Sequence, residues 1–166
     1  MTDFKDTFDL ASLRLGGAVI AASDGYFADK ENLLSPHPAV WKEHEYTDRG
    51  KWMDGWESRR KRTPGHDWAI IRLGVPGVLR GALVDTSFFR GNYPDSCSIE
   101  GTAEPIDAPL ERLLDPATEW VQALPKSQLA GDSKNAFPIE CPYAFTHVRL
   151  NIFPDGGVAR LRLYGD

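Results

Sequence analysis

Apolar and polar residues alternate along this chain with a period close to two far more often than with a period of 3.6. Val148, Leu150 and Ile152 alternate with His147, Arg149 and Asn151, which predicts a strand with one apolar and one polar face. The turn residues Pro154-Asp155-Gly156-Gly157 follow, and then Leu161 and Leu163 alternate with Arg160 and Arg162, so the simplest reading is a hairpin. Residues 68–73 and 78–84 are denser in apolar and branched side chains. They read as two strands of a sandwich interior joined by a tight turn at Gly74-Val75-Pro76-Gly77. The helical candidate is 110–124, where Leu110, Leu113, Leu114, Val121 and Leu124 fall near helical spacing. Pro116 limits it to one or two turns, or to a helix starting after Asp115. Residues 125–142 are rich in Gly, Pro, Ser, Asn and Asp and read as a long surface loop. Many short strands, Gly- and Pro-rich turns and little helix predict an all-β fold: an antiparallel jelly-roll β-sandwich with one or two short helices.

Composition fixes the scale. With 166 residues, 42% of them apolar, residues 1–166 are expected to form one domain. A net charge of −5 argues against nucleic acid as a partner, because a polyanion binds by having its phosphates neutralised. Cys97 and Cys141 cannot make a disulfide framework and show no CxxC spacing, which fits a reducing compartment. No apolar run approaches membrane-spanning length and the first residues lack the apolar stretch of a signal peptide, so the expectation is a soluble cytoplasmic protein with no membrane partner.

Against that acidic background residues 51–68 stand out: Trp52, Trp56 and Trp68 among Lys51, Arg59, Arg60, Lys61, Arg62 and His66, with Asp54, Glu57 and Asp67. The basic run Ser58-Arg59-Arg60-Lys61-Arg62 matches a nuclear address only as a bare pattern. The wall of a pocket for a small anion is the stronger reading.

Several segments together resemble the allantoicase repeat. They are Asp9-Leu10-Ala11-Ser12-Leu13-Arg14-Leu15-Gly16-Gly17; Ala22-Ser23-Asp24-Gly25-Tyr26-Phe27-Ala28; the stretch 51–77 on to Asp85-Thr86-Ser87-Phe88-Phe89 and Gly91-Asn92-Tyr93-Pro94; and Thr146-His147-Val148-Arg149-Leu150-Asn151-Ile152-Phe153-Pro154-Asp155-Gly156-Gly157. The resemblance covers nearly the whole chain. It implies a galactose-binding-like jelly roll and hydrolysis of allantoate to ureidoglycolate and urea, in purine breakdown through allantoin. Members of that family usually carry two such repeats in tandem, whereas this chain has one. The expected explanations are a homo-oligomer with its site near the seam, a second chain carrying the other repeat, or a chain that is a fragment of a two-repeat protein. The alternative is a non-catalytic module that holds a small anion or sugar.

The chemistry asks for particular groups. Allantoate carries a carboxylate and two ureido groups on one carbon, so a site needs an arginine fork, for which Arg59, Arg60 and Arg62 are the candidates. Loss of urea needs an acid for the departing nitrogen and a base for water, and Asp54, Glu57, His66 and Asp67 are the local choices. Asp85 and Thr86, where a strand leaves the core, and Arg149, on the polar face of its strand, are further substrate-binding candidates. Each has a plainer reading. The tryptophans pack core or rim, the arginines form a solvated loop, Asp85-Thr86-Ser87 makes an Asx-type turn, Asn92 sits in a turn, and Arg149 faces water. His37 and His44 show no metal-ligand spacing, and Asp24-Gly25 reads either as a loop cap or as a calcium ligand. Whether a divalent metal takes part is open from the sequence.

Overall fold

The computed structural model describes residues 3–166. Twelve strands follow in order: β1 (Phe8–Asp9), β2 (Ala18–Ala22), β3 (Tyr46–Thr47), β4 (Gly50–Lys51), β5 (Trp56–Glu57), β6 (Asp67–Asp85), β7 (Ser96–Thr102), β8 (Val121–Gln128), β9 (Lys134–Pro138), β10 (Ala144–Phe153), β11 (Gly157–Val158) and β12 (Arg160–Gly165). The one α-helix among the described residues is α1 (Leu110–Leu114), and three 3-10 turns cover Phe4–Asp6, Leu13–Leu15 and Lys30–Leu34. All pairings are antiparallel.

β6 organises the sandwich. Its first part pairs with β2 and β10, from which β7 and β8 extend, and its last part pairs with β9 and β12, with β1 beyond. The strand therefore belongs to both sheets. The two inner faces close on one core, in which Ile71, Leu73, Val148, Leu150 and Ile152 from one sheet meet Val84, Leu161 and Leu163 from the other. Each such side chain contributes about 1.5–3 kcal/mol by leaving water. The apolar face read along 148–152 is the core face, but the opposite face is covered as well, since His147 and Asn151 are also buried.

Three expectations are corrected. Gly74-Val75-Pro76-Gly77 is not a turn between two strands but the crossing point of one 19-residue strand. Bare glycines let the chain pass there: a Cβ on Gly74 would lie 2.5 Å from the Leu15 carbonyl oxygen, and one on Gly77 would lie 2.4 Å from that of Asp166. Nor do 148–152 and 160–164 form a hairpin. After the 154–156 turn the chain pairs β11 with β5 and then joins the opposite sheet as β12, which places Leu161 and Leu163 on the core side there. The presumed loop 125–142 contains the end of β8 and all of β9. Both are edge strands, and an edge tolerates Pro125 and Pro138 because no neighbour needs their missing N–H. The helical signal at 110–124 resolves into one turn before Pro116, with Val121 and Leu124 already in β8.

Candidate functional site

At the end of the sandwich where β2 stops and β6 starts lies an open cleft of about 620 Å³, lined by Ser23, Asp24, Phe27, Thr63, Asp67 and the run Arg59-Arg60-Lys61-Arg62. Local contacts fix its rim. The Trp56 indole N–H donates to the Asp24 carbonyl at 2.6 Å, and the Arg59 amide donates to Asp24 Oδ2 at 2.6 Å. The Lys61 amide donates to Asp155 Oδ2 at 2.8 Å, and the Ser58 amide donates to the Gly156 carbonyl at 3.0 Å. The basic loop is thereby tied on one side to the end of β2 and on the other to the turn after β10.

Asp67 is the floor. It is 2% exposed, its Oδ1 accepts from Ser23 Oγ at 2.8 Å, and the Lys61 ammonium stands 3.6 Å from the same oxygen. Asp67 Oδ2 is buried and has no hydrogen-bond partner. A carboxylate oxygen left so is costly, because removal from water is compensated only by a donor. Arg59 is engaged, with its guanidinium 3.1 Å from Asp24 Oδ1 and stacked over Tyr26 at 5.0 Å. Arg60 and Arg62 are exposed on the cleft wall. Four cations around two carboxylates make the cleft locally positive in an acidic chain, which suits a small anion. The same donor set does not suit a divalent cation. Asp24, weighed above as a calcium ligand, binds Arg59 through both oxygens, and no group of three or more His, Cys, Asp or Glu stands together among the described residues.

The other candidates lie elsewhere. Asp54 accepts from Arg160 at 2.8 Å and from the Val40 amide at 3.0 Å, holding the 30–40 segment to β12. Glu57 faces a second cavity, where Asn92 Nδ2 donates to its Oε2 at 3.0 Å and burial raises its carboxyl above the usual range. His66, one residue before the floor, turns away, with Nε2 3.1 Å from Asn151 Oδ1 and its ring 4.7 Å from Phe153. Asp85 accepts from the Ser87 amide and hydroxyl at 2.8 and 2.6 Å, the Asx-type turn. Thr86 Oγ1 donates to the Ala130 carbonyl at 2.7 Å and accepts from the Ser133 amide at 3.1 Å, fully inside. Arg149 pairs with Glu100 at 3.1 Å and stacks on Trp120 at 4.3 Å, on the outer face of the β7–β10 sheet. Of the ten candidates the cleft thus gathers Asp67, Arg59, Arg60 and Arg62. It adds Ser23 and Lys61, which sequence reasoning missed. Lys61 lay inside the basic run, but only tertiary contact joins it to Asp67.

The pattern described as an allantoicase repeat matches residues 8–166. The chain belongs to the allantoicase family. It is 51% identical over 162 residues to a protein named probable allantoicase from Pseudomonas fluorescens strain SBW25, covering 98% of this chain and 47% of that one. The crystal structure of allantoicase from Saccharomyces cerevisiae superposes with a TM-score of 0.76 at 33% identity, over 97% of this chain and 44% of that one. This chain therefore spans about half the length of the relatives it matches. The third carbohydrate-binding module of a Clostridium perfringens family 31 glycoside hydrolase superposes with a TM-score of 0.65 at 13% identity over 98% of this chain and 96% of that one, which shares the jelly-roll fold. Among the described residues no helix is long and apolar enough to cross a membrane.

Proposed function

We propose that this allantoicase repeat takes part in hydrolysing allantoate to ureidoglycolate and urea, with the arginine cleft as the substrate site. The observation that carries the reading is Asp67: a buried carboxylate with one unpartnered oxygen, beside an anion-attracting cleft, in a member of this family. Arg60 and Arg62 hold the substrate carboxylate, as a guanidinium fork does. Asp67 takes a proton from water as the water oxygen bonds to the central carbon, and returns that proton to the nitrogen of the departing ureido group as the carbon–nitrogen bond breaks. Lys61, 3.6 Å from Asp67 Oδ1, and Ser23, which donates to the same oxygen, hold the carboxylate in place at the floor. The assignment names Asp67 rather than Asp54, Glu57 or His66, whose side chains are engaged outside the cleft.

The same reading includes a cytoplasmic setting, supported by the free, buried thiols of Cys97 and Cys141, and a working unit that is a homo-oligomer or includes a second chain with another repeat. The test is urea release from allantoate by purified, folded protein, with and without added divalent metal. Release that Asp67→Asn abolishes supports the reading. No release under either condition, from protein that is folded and assembled, overturns it.

A further inference from the structure

His147 is fully buried, although it alternates with the core residues Val148, Leu150 and Ile152 and so stands on the outer face of its sheet. Its neighbours in the sheet are Arg72 of β6 and Thr102 of β7. The segment 103–120, which leaves β7 and returns as β8, passes beside it: the Thr146 hydroxyl donates to the Glu104 carbonyl at 2.5 Å. Further along this segment Leu113 is fully buried, and Leu110 lines a cavity of about 470 Å³ with Ile20, Ala21 and Ala22 of β2. The sheet order runs β2, β6, β10, β7, β8, so the segment crosses the sheet as a strap.

Hydrogen bonds set the state of the ring. The Thr146 proton goes to Glu104, so at 2.9 Å it is His147 Nδ1–H that donates to Thr146 Oγ1. Nε2 is then the basic nitrogen, and it is buried without a partner. A proton added there makes a buried charge whose N–H has no acceptor. The charged groups facing the ring offer no relief: Arg72 on β6 carries a like charge, and the Glu104 carboxylate on the strap is paired with Arg112 at 2.9 Å. Nε2 reaches water only when a neighbouring element moves. β6 and β7 are bound to β10 by continuous ladders, whereas the strap is held by Leu113, by the Thr146 bond and by the Arg149 guanidinium stacked on Trp120. The strap is the element that yields.

We propose that the strap 103–120 is an acid-released clasp: protonation of His147 at Nε2 lifts it from the outer face of the sheet while both sheets stay folded. The effect reaches the arginine cleft. The cavity that Leu110 lines is also lined by Asp24 and Tyr26, and these two hold Arg59 through its amide, its guanidinium and its stacked face. Release of Leu110 removes the support behind them, so acid loosens the cleft wall. The device operates whatever ligand the cleft takes, and hydrolysis plays no part in it.

Amide hydrogen exchange tests it, read as protection factors so that the intrinsic effect of pH on exchange cancels. A freely hydrated histidine takes up its proton near pH 6.5, so between pH 7.5 and pH 5.5 protection within 103–120 should fall about tenfold, and that of the Arg59 amide should fall with it. Strap protection should lie below that of β7 and β10 at both pH values and be insensitive to low denaturant, as a local opening is. His147→Gln should remove the fall, and His66→Gln, which alters the histidine bonded to Asn151 on the same face, should retain it. Strap protection that does not change with pH overturns the proposal. Strap protection equal to that of β7 and β10 and falling in step with it overturns it too, because the whole fold is then opening. These two outcomes are read from the parent protein and decide the matter even if His147→Gln fails to fold. A fall that persists in folded His147→Gln, or that His66→Gln removes, assigns the proton elsewhere and also overturns it. An Arg59 amide that stays protected while the strap opens overturns the link to the cleft.

Discussion

Asp54 Oδ2 accepts a 2.8 Å hydrogen bond from Arg160 across 106 residues of sequence, and Arg160 is 3% exposed. The guanidinium also donates to the carbonyls of His37, Asn32 and Ala159, at 2.8, 3.1 and 2.8 Å. Those bonds fasten the irregular 30–40 segment to β12, and the charge at their centre is Asp54. Asp54→Asn leaves a buried guanidinium without its counter-charge and should cost about 3 kcal/mol of stability. Urea denaturation measures it, and a variant as stable as the parent would show that the carbonyls alone hold Arg160.

Arg60 and Arg62 make a sharper test of the cleft. If they clamp a carboxylate in two-pronged fashion, Arg60→Lys or Arg62→Lys should weaken substrate binding by about 2 kcal/mol, roughly thirtyfold in KM, because an ammonium cannot reproduce the paired donors. Asp67→Asn should instead lower kcat by roughly a hundredfold or more. Unchanged kinetics in all three variants would remove the cleft from the reaction.

Half of this arrangement was legible in the sequence, for reasons that particular residues make plain. The alternation Val148, Leu150, Ile152 reports a strand wherever one face is buried, and the run at 59–62 reports charge, which local sequence shows directly. The bend of β6 was not legible, because Gly-Val-Pro-Gly is also good turn chemistry, and only the close carbonyls of Leu15 and Asp166 make it a crossing. The pairing partner of β12 was hidden for the same reason: a strand's alternation says which face is apolar, not which sheet it joins. In the site, the proximity of Asp67 to the arginines along the chain survived folding. Glu57, Asp54 and His66, equally close in sequence, were turned to other partners by contacts with Asn92, Arg160 and Asn151.

His147 gives a pH signature. It is fully buried, its Nε2 has no partner, and burial, reinforced by the nearby Arg72, lowers its pKa below the ordinary 6.5. The unfolded chain therefore takes up a proton at this residue as pH falls below about 6.5, while the folded chain does not, so this residue makes stability fall with acidification. Glu57 and Asp9, raised by burial, act oppositely: above the ordinary carboxylate range the folded state holds protons that the unfolded state has released, so their contribution declines as pH rises. A His147→Gln variant should lose the acid-side decline that belongs to the histidine. Melting temperatures of parent and variant should draw together between pH 7 and pH 5, and parallel curves would contradict the assignment.

Gly55 tests how the cleft wall is held. Its φ of +159° and its position leave no room for a side chain, since a Cβ would meet the Val158 carbonyl oxygen at 2.5 Å and the Ala159 Cα at 2.7 Å. That contact brings β11 against β5, directly before the basic loop. Gly55→Ala should destabilise the fold by about 2 kcal/mol or more, through overpacking against backbone that cannot rotate away. Hydrogen exchange should quicken first at Ser58 and Gly156, which bond to each other across this junction. A neutral effect would show that the junction yields.

The last prediction concerns assembly. Leu13, Leu15 and Val75 are 44%, 45% and 41% exposed, and the backbone of Leu15 lies against Gly74, the residue before Val75. Phe8, 72% exposed, adds another apolar side chain on the edge strand β1. Apolar side chains gathered in this way favour association, and a two-fold pairing of identical patches is the simplest closed form. Eight residues of β6 separate Asp67 from Val75, about 25 Å at the rise of a strand, so this patch lies at the end of the sandwich away from the cleft. Association there leaves the cleft open, whereas the repeat pattern alone had pointed to a site at the seam. Sedimentation should therefore show self-association at low micromolar concentration, and Leu15→Glu should yield a monomer whose cleft still binds a small anion. A parent protein that sediments as a monomer would contradict the association itself. A monomeric Leu15→Glu variant that no longer binds anion, though folded, would return the site to the seam between copies.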